Sequence, residues 1–341
     1  MTDINKLLSE AEAAMQRGER TLAIDKFVSV YRRAYGNGRA KVALTRIAKD
    51  LFTESIAVRN KGDIDAAIAL GIRSLELNPD SGEVRAETDR LLGIYATGRD
   101  MTKECLIFPD TARATRFYSE AIQTALDFAV YGGVTGDILE FGVLAGWTAR
   151  LFAERMREIQ FFGDLYLFDS FAGLPRNKDA IDVQSYDVMR GVWEQEMELP
   201  KSIIDEIGMP IDQHIAAKLS QVISRKRIHV KKGFFSESLR EPLKTKAAIV
   251  HLDCDLYQST IEVLDALHEY EVLQDGTVLM FDDWNCNRAN PHFGQRRALK
   301  EFLTKNKARY DVSQFFSYGF NCNAFILHDL DVRPDTVVST Q

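Results

Sequence analysis

Five short apolar runs constrain this chain more than any other feature. DILEFG, DLYLFDS, RIHVKKG, AAIVHLD and GTVLMFDD each stop at a Gly, Asp or Ser. Helical segments such as TARLFAERMREI, STIEVLDALHEYEVL and QRRALKEFLTKN lie between most of them. Strands that alternate with helices predict a parallel sheet with crossover helices, an α/β fold. A last run, NAFILH, closes the predicted sheet. Open sheets of this kind hold ligands beyond the carboxyl ends of their strands, so the residues that end these runs are the ones to read for chemistry.

The alternation does not begin at the amino terminus. Over the first hundred residues the apolar positions recur at helical spacing, as in Leu7, Leu8, Ala11, Ala14 and Met15, then Ala23, Phe27, Val28 and Tyr31. Gly18, Gly36 and Gly62 mark turns between helices. Gly18 is followed five places on by Ala23, and Gly62 by Ala67. In a helix hairpin the glycine makes the turn and the small alanine lets the second helix approach the first. The stretch resembles tetratricopeptide repeats, whose period is about 34 residues, although these two glycines are 44 apart (62 − 18). Helical repeats commonly bind peptides, so a protein partner or self-association is expected here. The resulting division is a helical region over 1–97, a linker over 98–112 and a larger domain over 113–341. Residues 176–212 exceed the usual connection of about 2–6 residues and are read as a lid insertion beside the ligand edge.

Composition narrows the classes. With 43 Lys+Arg against 50 Asp+Glu, the net charge of -7 disfavours a general nucleic-acid binder. No apolar run approaches the roughly 20 residues that span a bilayer. The opening MTDINKLLSE lacks the apolar stretch of a secretory signal. Cys105, Cys254, Cys286 and Cys322 are scattered without zinc-like spacing, which reads as free thiols in a reducing cytosol.

Three signals carry chemistry. In GDILEFGVLAGWTAR a strand ends at Glu140, followed by Gly142 and Gly146 and then a helix. An acid before a loose glycine loop, without G-x-G-x-x-G, suits S-adenosylmethionine better than a dinucleotide. In DLYLFDSFAGLP, Asp169 ends the next strand 23 residues after Gly146, where a carboxylate can accept from both hydroxyls of a ribose; Asp169 or Ser170 could instead cap a helix. Finally, Asp253 and Asp255 end one strand and Asp282 and Asp283 the next. Acids gathered at neighbouring strand ends repel unless a cation sits among them, and oxygen-only ligation points to a hard ion such as Mg2+.

The order and spacing of EFGVLAGWTAR, FDSFAGLP, KGFFSESL, LDCDLYQSTIEVLDAL, DGTVLMFDDW and GQRRALKEF resemble the macrocin O-methyltransferase family over roughly residues 115–328. The resemblance implies a Rossmann-like seven-stranded methyltransferase sheet with the last strand antiparallel, S-adenosylmethionine as donor, bound Mg2+ and a sugar hydroxyl as acceptor. By motif position Glu140, Gly142 and Gly146 lie near the methionine moiety, Asp169 and Ser170 hold the ribose region, and Gly233 and Phe234 lie beside the adenine. The metal falls to Asp253, Asp282 and Asp283, with Asp255 the alternative to Asp253. Asp253 is then catalytic through the metal, and the general base is His292, His251 or Asp255. His251 precedes Asp253 by two residues, so strand alternation gives both side chains the same face. Trp147, Tyr186 and Trp193 are candidates to pack on a sugar ring or the adenine. The sequence departs from the family in WNCNRANPHFGQRR, which follows the paired acids, and in the 176–212 insertion. A helical scaffold with a degenerate catalytic domain is the alternative reading, but the motifs retain their acids and glycines.

Overall fold

The computed structural model describes residues 2–96, 111–175, 180–184, 208–319 and 321–332. Five helices come first: α1 (Thr2–Gln16), α2 (Arg20–Arg33), α3 (Gly38–Asn60), α4 (Ile64–Leu77) and α5 (Gly82–Ala96). The predicted turns are real: Gly18, Gly36 and Gly62 have φ of +76°, +75° and +89°, a region that glycine enters without a Cβ clash. Asn37 and Asp63 start α3 and α4 by accepting from the amides of Ala40 (3.1 Å) and Ala66 (3.0 Å). Ala23 and Ala67 are fully buried where α2 packs on α1 and α4 on α3.

Helix α6 (Thr111–Tyr131) leads into the sheet. Its strands are β1 (Asp137–Phe141), β2 (Leu165–Asp169), β3 (Ile228–Lys232), β4 (Ala247–Leu252), β5 (Val278–Phe281), β6 (Tyr310–Tyr318) and β7 (Cys322–Asp329). The spatial order is β3-β2-β1-β4-β5-β7-β6. β7 runs antiparallel to both neighbours, and β1 to β5 pair in parallel. This is a seven-stranded mixed α/β sheet, with its last strand antiparallel as expected. β6 is absent from the apolar runs of the sequence because it is an edge strand, with Asp311, Gln314 and Ser317 among its residues.

Two apolar layers flank the sheet. One holds α6, α7 (Trp147–Glu158) and α9 (Ile211–Leu219) against Ile138, Ile249, Val278 and Met280. The other holds α11 (Tyr257–Glu269) and α12 (Gly294–Lys305) against Leu139, Val250, Leu252 and Phe281. Two single-turn helices, α8 (Ala180–Val183) and α10 (Phe235–Ser238), lie in the loops after β2 and β3. The 98–112 linker lies outside the described residues except where 111 and 112 open α6, and the 176–212 insertion is described only at 180–184 and 208–212.

The helical region packs on the amino ends of the strands. Phe162, just before β2, is buried in the core of α1–α4. Arg227, just before β3, donates to Glu76 of α4 at 2.7 Å and to the carbonyls of Phe161 and Gly163. Tyr31 donates to Gln160, which donates to the carbonyl of Leu77. Arg32 donates to the carbonyl of Gly136, before β1, at 3.0 Å. The carboxyl ends of the strands face the other way. No helix among the described residues is long and apolar enough to cross a membrane, and Cys254, Cys286 and Cys322 are free thiols.

Candidate active site

The loops at the carboxyl ends of β1, β2 and β3 interlock. Gly142 has φ +93°, and a Cβ there would stand 1.6 Å from the carbonyl oxygen of Asp253. The glycine is therefore demanded by the neighbouring strand: Asp253 donates its amide to Phe141 at 2.8 Å, and only a bare backbone fits so close. Gly146, φ +77°, starts α7 beside Ile215 of α9. Asp169 accepts from the amides of Val143 (2.7 Å), Leu144 (2.9 Å) and Phe171 (2.6 Å). Two of these bonds fix the glycine loop and one its own turn, which leaves about one of the carboxylate's four acceptor positions open. Ser170 donates to the carbonyl of Gly173 and accepts from the amide of Ala172. Gly233 donates to the carbonyl of Asp169, and Phe234 is half-buried at the start of α10. All six residues lie along three adjacent strand ends.

The acids divide by sheet face. Glu140 and His251 are register partners on β1 and β4. Two residues past His251 comes Asp253, and two past Met280 comes Asp282, so alternation sends all four polar side chains toward the α6–α7 face. One ligand atom each from His251, Asp253 and Asp282 lie within 4.8 Å of one another. Asp283, expected with them, contributes no atom to that group; it accepts from the amide of Asp255 (3.0 Å) and the thiol of Cys286 (3.6 Å) and lies close enough to act on Asp253.

Tyr118, on α6, donates to Asp282 Oδ1 at 2.5 Å, and the Cys322 thiol donates to the same atom at 3.3 Å. Trp147 packs edge-on against Tyr118 at 5.2 Å. Burial raises the Tyr118 phenol, and Asp282 raises it further, so it stays a donor. Glu140 is 0% exposed; it accepts from Thr148 and lies 3.2 Å from His251 Nδ1. Its contacts are internal, and its Oε2 has no partner. Burial alone would lower His251, but the facing Asp282 and Glu140 carboxylates lift it to about 10. Burial and the neighbouring Asp282 and Asp283 push Asp253 well above the usual carboxylate range. Asp255, left-handed at φ +58°, is raised by burial and by Asp283 and Asp253. Asp283 is raised to about 7, by burial and then Asp282. Crowded like charges of this kind are what a cation relieves.

His292 is exposed and lines a separate surface cleft of about 380 Å³ with Arg297, Lys300 and Lys305, away from this group. His251 is sealed in the core, which removes it from contact with an acceptor. Tyr186 and Trp193 lie outside the described residues. Tyr118 and Cys322 are the site residues that the sequence does not reveal.

Residues 114–315 match the family model described as macrocin-O-methyltransferase (TylF). A mycinamicin III 3''-O-methyltransferase of Micromonospora griseorubida is 24% identical over 195 residues, covering 54% of this chain and 70% of that one. The structure of the O-methyltransferase NovP aligns over 62% of this chain and 79% of its own, at 18% identity and a TM-score of 0.47. The SAH-bound Podospora anserina methyltransferase PaMTH1 aligns over 73% and 97%, at 13% identity and a TM-score of 0.35.

Proposed function

The chain belongs to the macrocin-O-methyltransferase family and is an O-methyltransferase, and on that premise we propose that it methylates a hydroxyl of a sugar or glycosylated small molecule, using S-adenosylmethionine and a divalent ion of the Mg2+ type. The observation that carries this reading is the meeting of Asp253 and Asp282 beside the buried imidazole of His251 at the carboxyl edge of the sheet. The sugar acceptor is supported by the Micromonospora relative, a mycinamicin III 3''-O-methyltransferase.

S-adenosylmethionine supplies an electrophilic methyl group on sulfur. The backbone of Gly142–Leu144, held by Asp169, and the Gly233–Phe234 turn would bind it along the ends of β1 to β3. Asp253 and Asp282 would hold the ion, which when bound makes a coordinated hydroxyl more acidic. The rest of the work is positioning: the acceptor oxygen must lie in line behind the methyl group. The released proton goes to a carboxylate of the same cluster. Asp255 and Asp283 are poised for that, because burial and mutual repulsion make them stronger bases than a surface aspartate. Residues 113–341 form the catalytic unit in this reading, and the 176–212 insertion lies on the acceptor side.

Labelled S-adenosylmethionine and EDTA test the proposal together. Donor binding should survive EDTA while turnover on a glycosylated acceptor is abolished. Full turnover in EDTA would remove the ion from the mechanism and leave the carboxylates as base and hydrogen-bond partners alone.

A further inference from the structure

We infer that the surface cleft between α12 and the loop before it is an anion subsite for the acceptor, so that the sugar to be methylated carries a phosphate. The inference rests on the sugar reading above and narrows its substrate class.

The cleft has a volume of about 380 Å³, within the range of roughly 300–1,000 Å³ usual for small-molecule sites. Arg297, Lys300 and Lys305 line it together with His292, and Glu301 is the one carboxylate among its lining residues. The whole chain has a net charge of -7, so a cationic hollow runs against its average composition. Glu301 is already occupied: it accepts from Arg297 Nε at 2.8 Å and from the Tyr257 hydroxyl at 2.7 Å. Lys305 meets Asp265 at 2.9 Å, but both side chains stand in water, where such a pair is weak. Neither the Lys300 ammonium nor the His292 imidazole has a side-chain partner among the described residues. The Arg297 guanidinium is held in place, lying over the Tyr257 ring at 5.5 Å and donating to the carbonyl of His292 at 3.3 Å. A fixed guanidinium beside a free ammonium is the donor set that phosphate oxygens take.

The loop that brings His292 to the cleft is bent in an unusual way. Asn287, Arg288 and Ala289 have φ of +56°, +58° and +55°, three consecutive left-handed residues without a glycine. Such backbone persists only where its surroundings hold it, and it gathers at ligand clamps. Here the Ala289 amide donates to the carbonyl of Asn285 at 2.9 Å, the Asn285 amide to that of Asn321 at 2.8 Å, and Arg296 Nε to that of Trp284 at 2.8 Å. The same loop starts at Asp283, whose amide donates to the Gln295 side chain at 2.9 Å. Gln295 lies in the first turn of α12, two residues before Arg297. The cleft is thus separate from the acids yet hinged to them through one loop and one helical turn. A sugar with its hydroxyl at the acids would extend its phosphate toward Arg297 and Lys300.

Calorimetry on the full chain with glucose 1-phosphate, glucose and inorganic phosphate tests this. The sugar phosphate should bind, with an affinity that falls as salt rises. Glucose at the same concentration should not bind, and inorganic phosphate, lacking the ring, should bind more weakly. Lys300→Glu should weaken the sugar phosphate by about tenfold or more, with S-adenosylhomocysteine affinity unchanged as the sign of an intact fold. Lys41→Glu makes the same change of charge on α3 and should leave the affinity as it is. In proton spectra the His292 ring signal, assigned by its absence from His292→Asn, should move as the sugar phosphate is added. No binding of glucose 1-phosphate, or equal weakening by the two lysine variants, overturns the subsite and leaves methylation of a neutral sugar standing. Inorganic phosphate that binds as tightly as the sugar phosphate overturns the acceptor assignment and makes the cleft a site for a free anion.

Discussion

Asp282 is the residue on which the site turns, because three elements meet at its Oδ1: Tyr118 from α6, Cys322 from β7 and the facing His251 from β4. Tyr118→Phe removes one hydrogen bond to a charged group, worth about 1.5–3 kcal/mol. The expected result is a loss of about 10–100-fold in ion affinity, measured by Mn2+ titration, with circular dichroism unchanged. Asp282→Asn removes the charge with little change of shape. It should abolish turnover while calorimetry shows S-adenosylhomocysteine still bound. Gly142→Ala would drive a methyl group into the Asp253 carbonyl, so it should cost stability and displace Asp253 together. Thermal melting would show the loss, and a wild-type melting curve would contradict it. Much of this cluster was legible beforehand, since acids at the ends of successive parallel strands must converge and His251 must share a face with Asp253. Tyr118 was not legible: 164 residues separate it from Asp282, and one tyrosine on an amphipathic helix carries no local signal.

Among the elements, α4 ties the helical region to the sheet. Glu76 is fully buried against Arg227, which also holds two carbonyls before β2. Burial works against ionised Glu76, but Arg227 and Arg73 outweigh it and lower its pKa below the ordinary 4.5. A depressed carboxylate contributes stability above its unfolded pKa and loses it as pH falls through the folded one. Glu76→Gln leaves Arg227 buried and uncompensated, a cost of about 3–5 kcal/mol at neutral pH. Denaturant unfolding should show the wild type's advantage shrinking as pH drops below 4.5, and an advantage independent of pH would count against the pairing. The strands β1, β2, β4, β5 and β7 could be read from apolar runs because they lie inside the sheet, and the edge strand β3 could be read because its run RIHVKKG is short and ends at a glycine. β6 could not, since half of an edge strand faces water and its pattern reflects the β7 partner rather than its own residues.

Across the whole molecule, the helices sit at the amino edge of the strands and the acids at the carboxyl edge. A chain beginning at Leu106 should therefore bind S-adenosylhomocysteine with unchanged affinity by calorimetry but melt at a lower temperature, having lost the cover over Phe162 and Arg227. Lost affinity in a folded protein would mean that the helices help to shape the donor loops from behind. Phe162 also has a consequence for how the protein is made. Helices α1 to α4 leave the ribosome long before the side chain that plugs their core exists, since residue 162 follows the end of α4 by some 85 positions (162 − 77). During synthesis the nascent helices carry an open apolar socket, the kind of surface that aggregates or recruits chaperones. The amino-terminal region therefore matures late although it is translated first, and its completion waits on the hairpin bend that carries the chain from α7 into β2.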